Sequence, residues 1–461
     1  MPILFRLARY GIRHRRQLCL AWISLIASSV LALALPRLIG DAVDHALTAN
    51  DNSELYWLAG ILIFLSVLRG GFSYGQTYFA EAISAMVAYT LRNALLSKMQ
   101  RLSFGFHDTR NTGDLMSVVT YDVESTRMFI SFGLVRFFQL AILFGGIIPL
   151  LMLLHWQLGL ISLAGVPVTL YTTVTVGKKL RVIWNRVQIK MGELTTVLQE
   201  NLAGIRVVKS FGAENYEMNK FQSSNKDIAS QIISAELIRS RYVALKLFAF
   251  LLLTGIVLIA GRNLVITEQL STGELAQFLF YLVMLQSPVI AIGGKIAVFV
   301  RGIEASKRIL DIIDADWKIK EPLVPAIIKN VKGNIQFNDV NFSYNEITTL
   351  QNIKLDIEHG MSVGLIGMPG SGKSTLFKLI PRFYDIDSGI LSLDGNDIRT
   401  LPLEDLRNNI GIVPQDVLLF PITIRENIAY NKPTAGFNEI IRVAKIADIH
   451  SFIETLPNGY D

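Results

Sequence analysis

The chain holds a single cysteine, Cys19, so it has no means of closing an intrachain disulfide. A lone thiol inside an apolar run reads as a small buried hydrophobe. Charge is also scarce. Asp, Glu, Lys and Arg make up 18% of 461 residues, where a soluble domain carries about a quarter. Lys and Arg are missing from the loop that follows Arg37 and from the short link at His155-Trp156-Gln157. The scarcity excludes an ordinary soluble protein. The uneven placement removes the main support for nucleic-acid binding, which a formal charge of +6 would otherwise suggest.

What fills the space is apolar. Hydrophobic residues make up 51% of the chain and the mean hydropathy is +0.40. The excess sits in residues 1 to about 310; the remainder has the composition of an ordinary α/β chain. Apolar runs predict spans near 18–40, 55–79, 130–154, 157–177, 245–266 and 275–298, each close to the ~20 residues a hydrocarbon core demands. Ala32-Leu33-Ala34 has the form of a cleavage site after a basic start. The run before it is too long for a signal core, and more spans follow, so removal is not expected.

Loop charges orient the spans. Arg6, Arg9, Arg13, Arg15 and Arg16 precede the first one, and Asp41, Asp44, Asp51 and Glu54 follow it. Segment 92–127 carries Arg92, Lys98, Arg101, Arg110 and Arg127; segment 178–246 carries Lys178, Lys179, Arg181, Arg186, Lys190, Arg206 and Lys209 among others. The positive-inside rule then makes the N-terminus, both long loops and the C-terminal part cytosolic. Both long loops are poor in Pro and periodic in apolar positions, which predicts membrane helices that continue into the cytosol. Arg69, inside the second span, reads first as a snorkelling or structurally bonded arginine, with a substrate or helix-pairing contact as the alternative. Lys295, near the end of the last span, reads as a snorkelling residue.

A different chemistry begins at residue 363. An apolar strand over Val363–Ile366 is predicted to run into Gly367-x-x-x-x-Gly372-Lys373-Ser374, with a helix-like run from Thr375 to Ile380. Strand, glycine loop and helix form the context of a phosphate-binding loop. Gly367, Gly370 and Gly372 let backbone N–H groups converge on phosphate oxygens, helped by the N-terminus of the helix. Ser371 and Thr375 complete the cofactor-binding set. Lys373 supplies a point charge for the β- and γ-phosphates, and Ser374 a hydroxyl for Mg²⁺.

The neighbouring residues resemble the ABC transporter family, exporter type, over nearly the whole chain. Val340-Asn341-Phe342-Ser343-Tyr344 resembles its aromatic loop, and Ser388-Gly389 with Asp394-Gly395-Asn396-Asp397-Ile398 its hairpin. Leu406-Arg407-Asn408-Asn409-Ile410-Gly411-Ile412-Val413-Pro414-Gln415-Asp416 resembles its glutamine loop, and Leu419-Phe420 with Thr423-Ile424-Arg425-Glu426-Asn427-Ile428 continues the pattern, Pro421 being a departure. Asp394-Gly395 is a tight-turn signal in its own right. In the membrane half, Phe106-His107-Asp108, Thr112-Gly113-Asp114-Leu115 and Asp122-Val123 resemble the first coupling loop. Residues 199–209 resemble the second, and Ala305-Ser306-Lys307-Arg308-Ile309 the junction.

The resemblance implies an α-helical membrane domain of six transmembrane helices with long cytosolic extensions, followed by a partial α/β P-loop ATPase domain. It divides the chain into a transmembrane domain at 1–315, a linker at 316–332 and the N-terminal part of a nucleotide-binding domain at 333–461. ATP and Mg²⁺ are the implied cofactors. Tyr344 would stack on adenine, its alternative being a strand-end tyrosine packed on the core, and Gln415 would touch Mg²⁺ and the attacking water. Lys373 and Gln415 are the implied catalytic residues. The implied partners are a second half-transporter, identical or not, membrane lipid, and a hydrophobic or amphipathic transport substrate; no nucleic acid is implied. The implied location is a multi-pass place in a membrane, the bacterial inner membrane, with the N-terminus and ATPase domain cytosolic.

No Leu-Ser-Gly-Gly-Gln follows the phosphate loop in these 461 residues, no later apolar strand ends in Asp-Glu, and no switch His follows. On the resemblance, the ATPase domain is expected to be truncated and the chain alone not to turn ATP over. The expected function of the intact protein is ATP-driven export of a drug, lipid or peptide. A non-hydrolysing nucleotide-binding membrane regulator, an inactive fragment and an ion channel stand as alternatives.

Overall fold

The structure is a computed structural model that describes residues 6, 10–12, 14–48, 53–316, 319, 322, 324–326, 331–345, 347–415 and 417–461. The side chain of Lys295 and Asp416 lie outside the described residues, as do Arg9, Arg13, Asp51, the side chain of Glu54 and much of the expected linker at 316–332. The chain forms two compact units, residues 1–102 with 106–317, and residues 103–105 with 318–461.

Helices and the short links between them make up the described residues of the first unit. Helix α1 spans Arg15–Thr48, α2 Ser53–Arg101, α3 Phe104–Asp108 and α4 Thr112–Ser117. Then come α5 over Val123–Ser131, α6 over Phe137–Leu154, α7 over Trp156–Ala203 and α8 over Ile205–Ser210. Glu214–Ile266 forms α9 and Thr272–Ile313 forms α10. Among the described residues, α1, α2, α6 and α9 are long and apolar enough to cross a membrane. The fourth and sixth expected spans fall in α7 and α10, each of which contains side chains outside those described.

Helices α2, α7 and α9 have 49, 48 and 53 residues. At 1.5 Å per residue each reaches roughly 70–80 Å, against about 30 Å of hydrocarbon. The expected extension of the spans into helical arms is therefore present. At His155 the backbone is extended (φ −160°, ψ 109°) and separates α6 from α7. Cys19 corrects its reading as a buried residue: it is exposed on the protein surface, because a span can turn an apolar face outward to lipid and need not bury it in protein.

Two π-helical stretches, Val118–Asp122 and Phe132–Arg136, flank α5. A π turn holds one extra residue and changes the face that later side chains occupy. At the end of the first stretch, Asp122 accepts two hydrogen bonds from Arg308 of α10, from Nε at 2.7 Å and from the terminal guanidinium nitrogen at 2.6 Å. One turn on, the Thr126 and Ser306 hydroxyls meet at 3.1 Å in a buried contact. A second polar knot joins α2 to α5: Arg127 donates to Glu81 at 2.6 Å and to Glu124 at 2.7 Å, and Ser131 donates to Glu81 at 2.8 Å. Around these knots lies a core that includes Leu25, Ile83, Leu91, Leu95, Val123 and Ile309.

The second unit contains a four-stranded antiparallel sheet in the order β2-β1-β3-β4. Its strands are β1 Ile335–Tyr344, β2 Ile347–Ile357, β3 Ser388–Leu393 and β4 Asn396–Asp397. Its helices are α11 Lys373–Leu379, α12 Leu403–Asn408, α13 Ile424–Ile428, α14 Phe437–Ile446 and α15 His450–Glu454. The β3–β4 turn has Asp394 at φ 48° and Gly395 at φ 79°, the pair of positive angles that the Asp-Gly signal demands. Phe337, Val340, Phe342 and Leu391 join Leu376 and Leu379 of α11 in the main core.

One expected element is corrected. Val363–Ile366 is not a strand; it carries no sheet pairing, and Val363 and Ile366 are 43% and 101% exposed. Ile410–Val413 is likewise unpaired. A strand exists only beside another strand, and none of the four strands among the described residues runs alongside either segment.

Candidate nucleotide site

The glycine loop closes on itself through Lys373. Its ammonium donates to the carbonyls of Gly367 at 2.8 Å and Met368 at 2.7 Å, and lies 3.3 Å from the Ser371 hydroxyl. The Ser371 amide donates to the Met368 carbonyl at 3.2 Å. Helix α11 begins one residue later with Gly372 at its N-cap, φ 86° and ψ 6°. An L side chain rarely adopts that conformation, and a Cβ there would lie 2.7 Å from a methyl of Leu350. Thr375 is buried beneath the loop, and Leu376 anchors the helix in the core. The helix thus starts at Lys373, two residues earlier than its sequence pattern predicts.

The loop fits a phosphate group. A Cβ at Gly367 would lie 2.7 Å from the Ser371 hydroxyl and 3.8 Å from the Lys373 ammonium. The bare glycine therefore keeps open a space ringed by a cation, a hydroxyl and a helix N-terminus, which together suit an anion. Ser374 stands exposed on the first turn of α11.

Tyr344 ends β1, half-buried, its ring near-perpendicular to those of Phe342 at 4.8 Å and Tyr384 at 5.2 Å. The rings brace one another edge to face. Gln415 is exposed in the irregular segment after Ile410–Val413. The structure therefore brings Gly367, Ser371 and Lys373 into bonding contact. No hydrogen bond or ion pair joins Gln415 to them among the described residues. No group of three or more His, Cys, Asp or Glu could hold a metal ion among the described residues.

Several contacts and exposures of residues in the recognised segments were not predicted from the sequence. The Asp394 carboxylate accepts from the amides of Lys332, Gly333 and Asn334 at 2.8, 3.1 and 2.9 Å. Thr423 and Glu426 form a reciprocal capping box at α13, a pattern legible as Thr-x-x-Glu. Phe104 stacks on Phe383 at 4.2 Å and 26°, which places residues 103–105 with the second unit. Arg69 is exposed on α2, with no bonded partner among the described residues. On α8 and its flanks, Leu202, Val207 and Phe211 are 64%, 61% and 82% exposed.

Comparisons with known proteins agree on both units. Residues 18–289 match the family model of the ABC transporter transmembrane region, and residues 350–459 match that of the ABC transporter. An ATP-dependent lipid A-core flippase of Syntrophus aciditrophicus (strain SB) is 32% identical, over 100% of this chain and 77% of its own length. An uncharacterized ABC transporter ATP-binding protein of Bacillus subtilis (strain 168) is 30% identical over 99% of this chain and 78% of its own. A putative multidrug export ATP-binding/permease protein of Staphylococcus aureus (strain NCTC 8325 / PS 47) is 33% identical over 94% and 76%.

Proposed function

Since this chain belongs to the ABC transporter family and is an exporter-type half-transporter, we propose that it exports a hydrophobic or amphipathic molecule, with a lipid or a drug as the candidate class. It is an integral membrane protein with an ATP-binding domain. The relatives are named for lipid A-core flipping and for multidrug export, and the apolar exposed faces of α2 and α9 suit cargo or lipid of that kind. The same proposal pairs the chain with a second half-transporter. It places the protein in a bacterial inner membrane with the basic loops and ATPase domain in the cytosol, where positive charge collects. Division into domains at 1–315 and 333–461, joined by a linker, is part of this reading.

The observation that supports nucleotide chemistry is the loop held by Lys373. In that loop Lys373 would release the Gly367 and Met368 carbonyls to meet the β- and γ-phosphates. The amides from Gly370 to Thr375 would bind phosphate oxygens. Ser374 and Gln415 would hold Mg²⁺, which supplies charge neutralisation to phosphoryl transfer when bound. Gln415 would position water, and Tyr344, braced by Phe342 and Tyr384, would offer its ring to adenine. The exposed apolar residues around α8 support a docking role for the second coupling loop. The test, made on the intact protein, is transport of a fluorescent lipid and of a drug dye in proteoliposomes, read beside phosphate release. Lys373-dependent release with movement of either probe is expected. Nucleotide binding without release would favour the regulator.

A further inference from the structure

Where the apolar spans of α7 and α9 give way to polar sequence, positive charge is left over. Residues 171–186 and 236–250 together contain seven Lys or Arg and one carboxylate, Glu236, and that carboxylate pairs with Arg239 at 2.8 Å. The two helices run antiparallel. Thr173 bonds to Tyr242 and Lys246, and Lys190 pairs with Asp227 further along. This register sets Lys178 level with Arg239, about 8 Å along the axis from Thr173 at 1.5 Å per residue.

Lys246 stands on the membrane side of that basic band. Its ammonium donates to the hydroxyl of buried Thr173 at 2.7 Å and lies 4.4 Å from the Tyr242 ring centroid. The Tyr242 hydroxyl donates to Thr173 at 2.9 Å and approaches Thr172 at 3.1 Å. No carboxylate pairs with Lys246 among the described residues. An ammonium has three donors, and Thr173 takes one. The ring and hydroxyls hold the charge in place without neutralising it, so the missing component is an anion.

We propose that this cluster binds the phosphate of an anionic lipid headgroup, with Lys246 as the inner contact and Lys178 and Arg241 as the outer ones. A lipid fits better than free phosphate because α9 is apolar and exposed on the membrane side of Lys246: Leu247, Phe248 and Leu251 are 47%, 63% and 61% exposed. Those side chains suit the acyl chains of the lipid whose headgroup the cations hold. The inference rests on α7 and α9 crossing the membrane. It is independent of which molecule is exported.

Native mass spectrometry of the full-length protein, exposed to equal amounts of phosphatidylglycerol and phosphatidylcholine, counts retained lipids without ATP or turnover. Transport can therefore fail while this result stands, and the reverse. Wild type is expected to retain phosphatidylglycerol preferentially. Lys246→Gln should reduce that preference about fivefold, as loss of one lipid-facing charge does. Lys246→Arg should keep most of it, and Lys220→Gln, far along α9, should change nothing. If Lys246→Gln does not fold, the surface double variant Lys178→Gln with Arg241→Gln must lose preference by more than fivefold. No preference in wild type, an unchanged preference in these variants, or full displacement of the lipid by millimolar inorganic phosphate would overturn the proposal.

Discussion

Among the described residues, the helices of the membrane unit pair their backbone within themselves, whereas in the ATPase unit the phosphate loop is carried by Val363–Ile366, a segment with no strand beside it. The contrast is one of range. A helix closes its hydrogen bonds four residues apart, so an apolar run suffices to form one. An antiparallel hairpin needs a turn and a near neighbour, and β1–β2 and β3–β4 have both. A parallel strand needs partners brought from far along the chain. Yet Lys373 still reaches the Gly367 and Met368 carbonyls, because the loop and helix are contiguous and α11 is anchored by Leu376 and Leu379 in the hairpin core.

The strongest way to sharpen this contrast is Lys373→Ala. In the intact protein it removes the one side-chain charge inside the loop and is expected to lower phosphate release by about a hundredfold or more, the scale of losing a preorganised group at a developing charge. The thermal stability of the membrane helices should not move, since the bonds of Lys373 among the described residues lie within the loop itself. Phosphate release that persists at saturating ATP would break the assignment of the loop.

Next in size is a test in the membrane unit. Asp44, at the end of α1, accepts from the Ser271 hydroxyl at 2.5 Å and from the Gly273 amide at 2.6 Å, at the start of α10. The helices approach so closely there that a Cβ on Gly40 would lie 2.7 Å from the Gly273 carbonyl. Asp44→Ala leaves both donors without this acceptor, at a cost of about 1–3 kcal/mol. Heat denaturation in detergent, followed by helical circular dichroism, is expected to show it as a lower midpoint. An unchanged midpoint would mean that the seam between α1 and α10 does not depend on this link.

A smaller effect is expected at Tyr344. Replacement by Ala should weaken nucleotide binding roughly tenfold, taking the range of base–aromatic stacking as a guide. Phe or Trp should preserve most of the affinity, because the ring face does the work. If Ala binds as tightly as Tyr, the ring serves only the aromatic cluster with Phe342 and Tyr384.

How much could be read beforehand follows the same division. Four of the six expected spans, the long helical arms, the break at His155 and the Asp394-Gly395 turn were legible because each depends on residues close in sequence. The phosphate loop was legible for that reason too. The state of Val363–Ile366 was not, since alternation of apolar residues reports the wish for a sheet and not the presence of one. Long-range side-chain partners were equally hidden: Asp122 and Arg308 stood in two separately recognised segments, and only the fold joins them. Nothing local in the sequence announced that Lys246 would meet Thr173 across two helices.

The smallest expected effect lies at the hairpin that anchors the phosphate loop's core, and its sign can be worked out. Burial pushes the Asp394 carboxyl up, but hydrogen bonds from the amides of Asn334, Lys332 and Gly333, with the Lys332 charge, outweigh it and hold the group below its ordinary value. A carboxyl whose folded pKa lies below its unfolded value, about 3.9, stabilises the fold above that value. The contribution is lost as pH falls through the folded pKa, because protonation removes the charge that the three amides bind. Hydrogen exchange at 332–334 in the full chain should therefore keep its protection from neutral pH to about pH 5. Protection should fall below pH 4, after correction for the intrinsic pH dependence of exchange. Asp394→Asn should show reduced protection already at neutral pH and no further acid-dependent loss at these amides. Equal protection in both proteins at pH 7 would mean that the Asp394-Gly395 turn, by its backbone angles alone, holds the segment against β3 and that the carboxylate adds nothing to it.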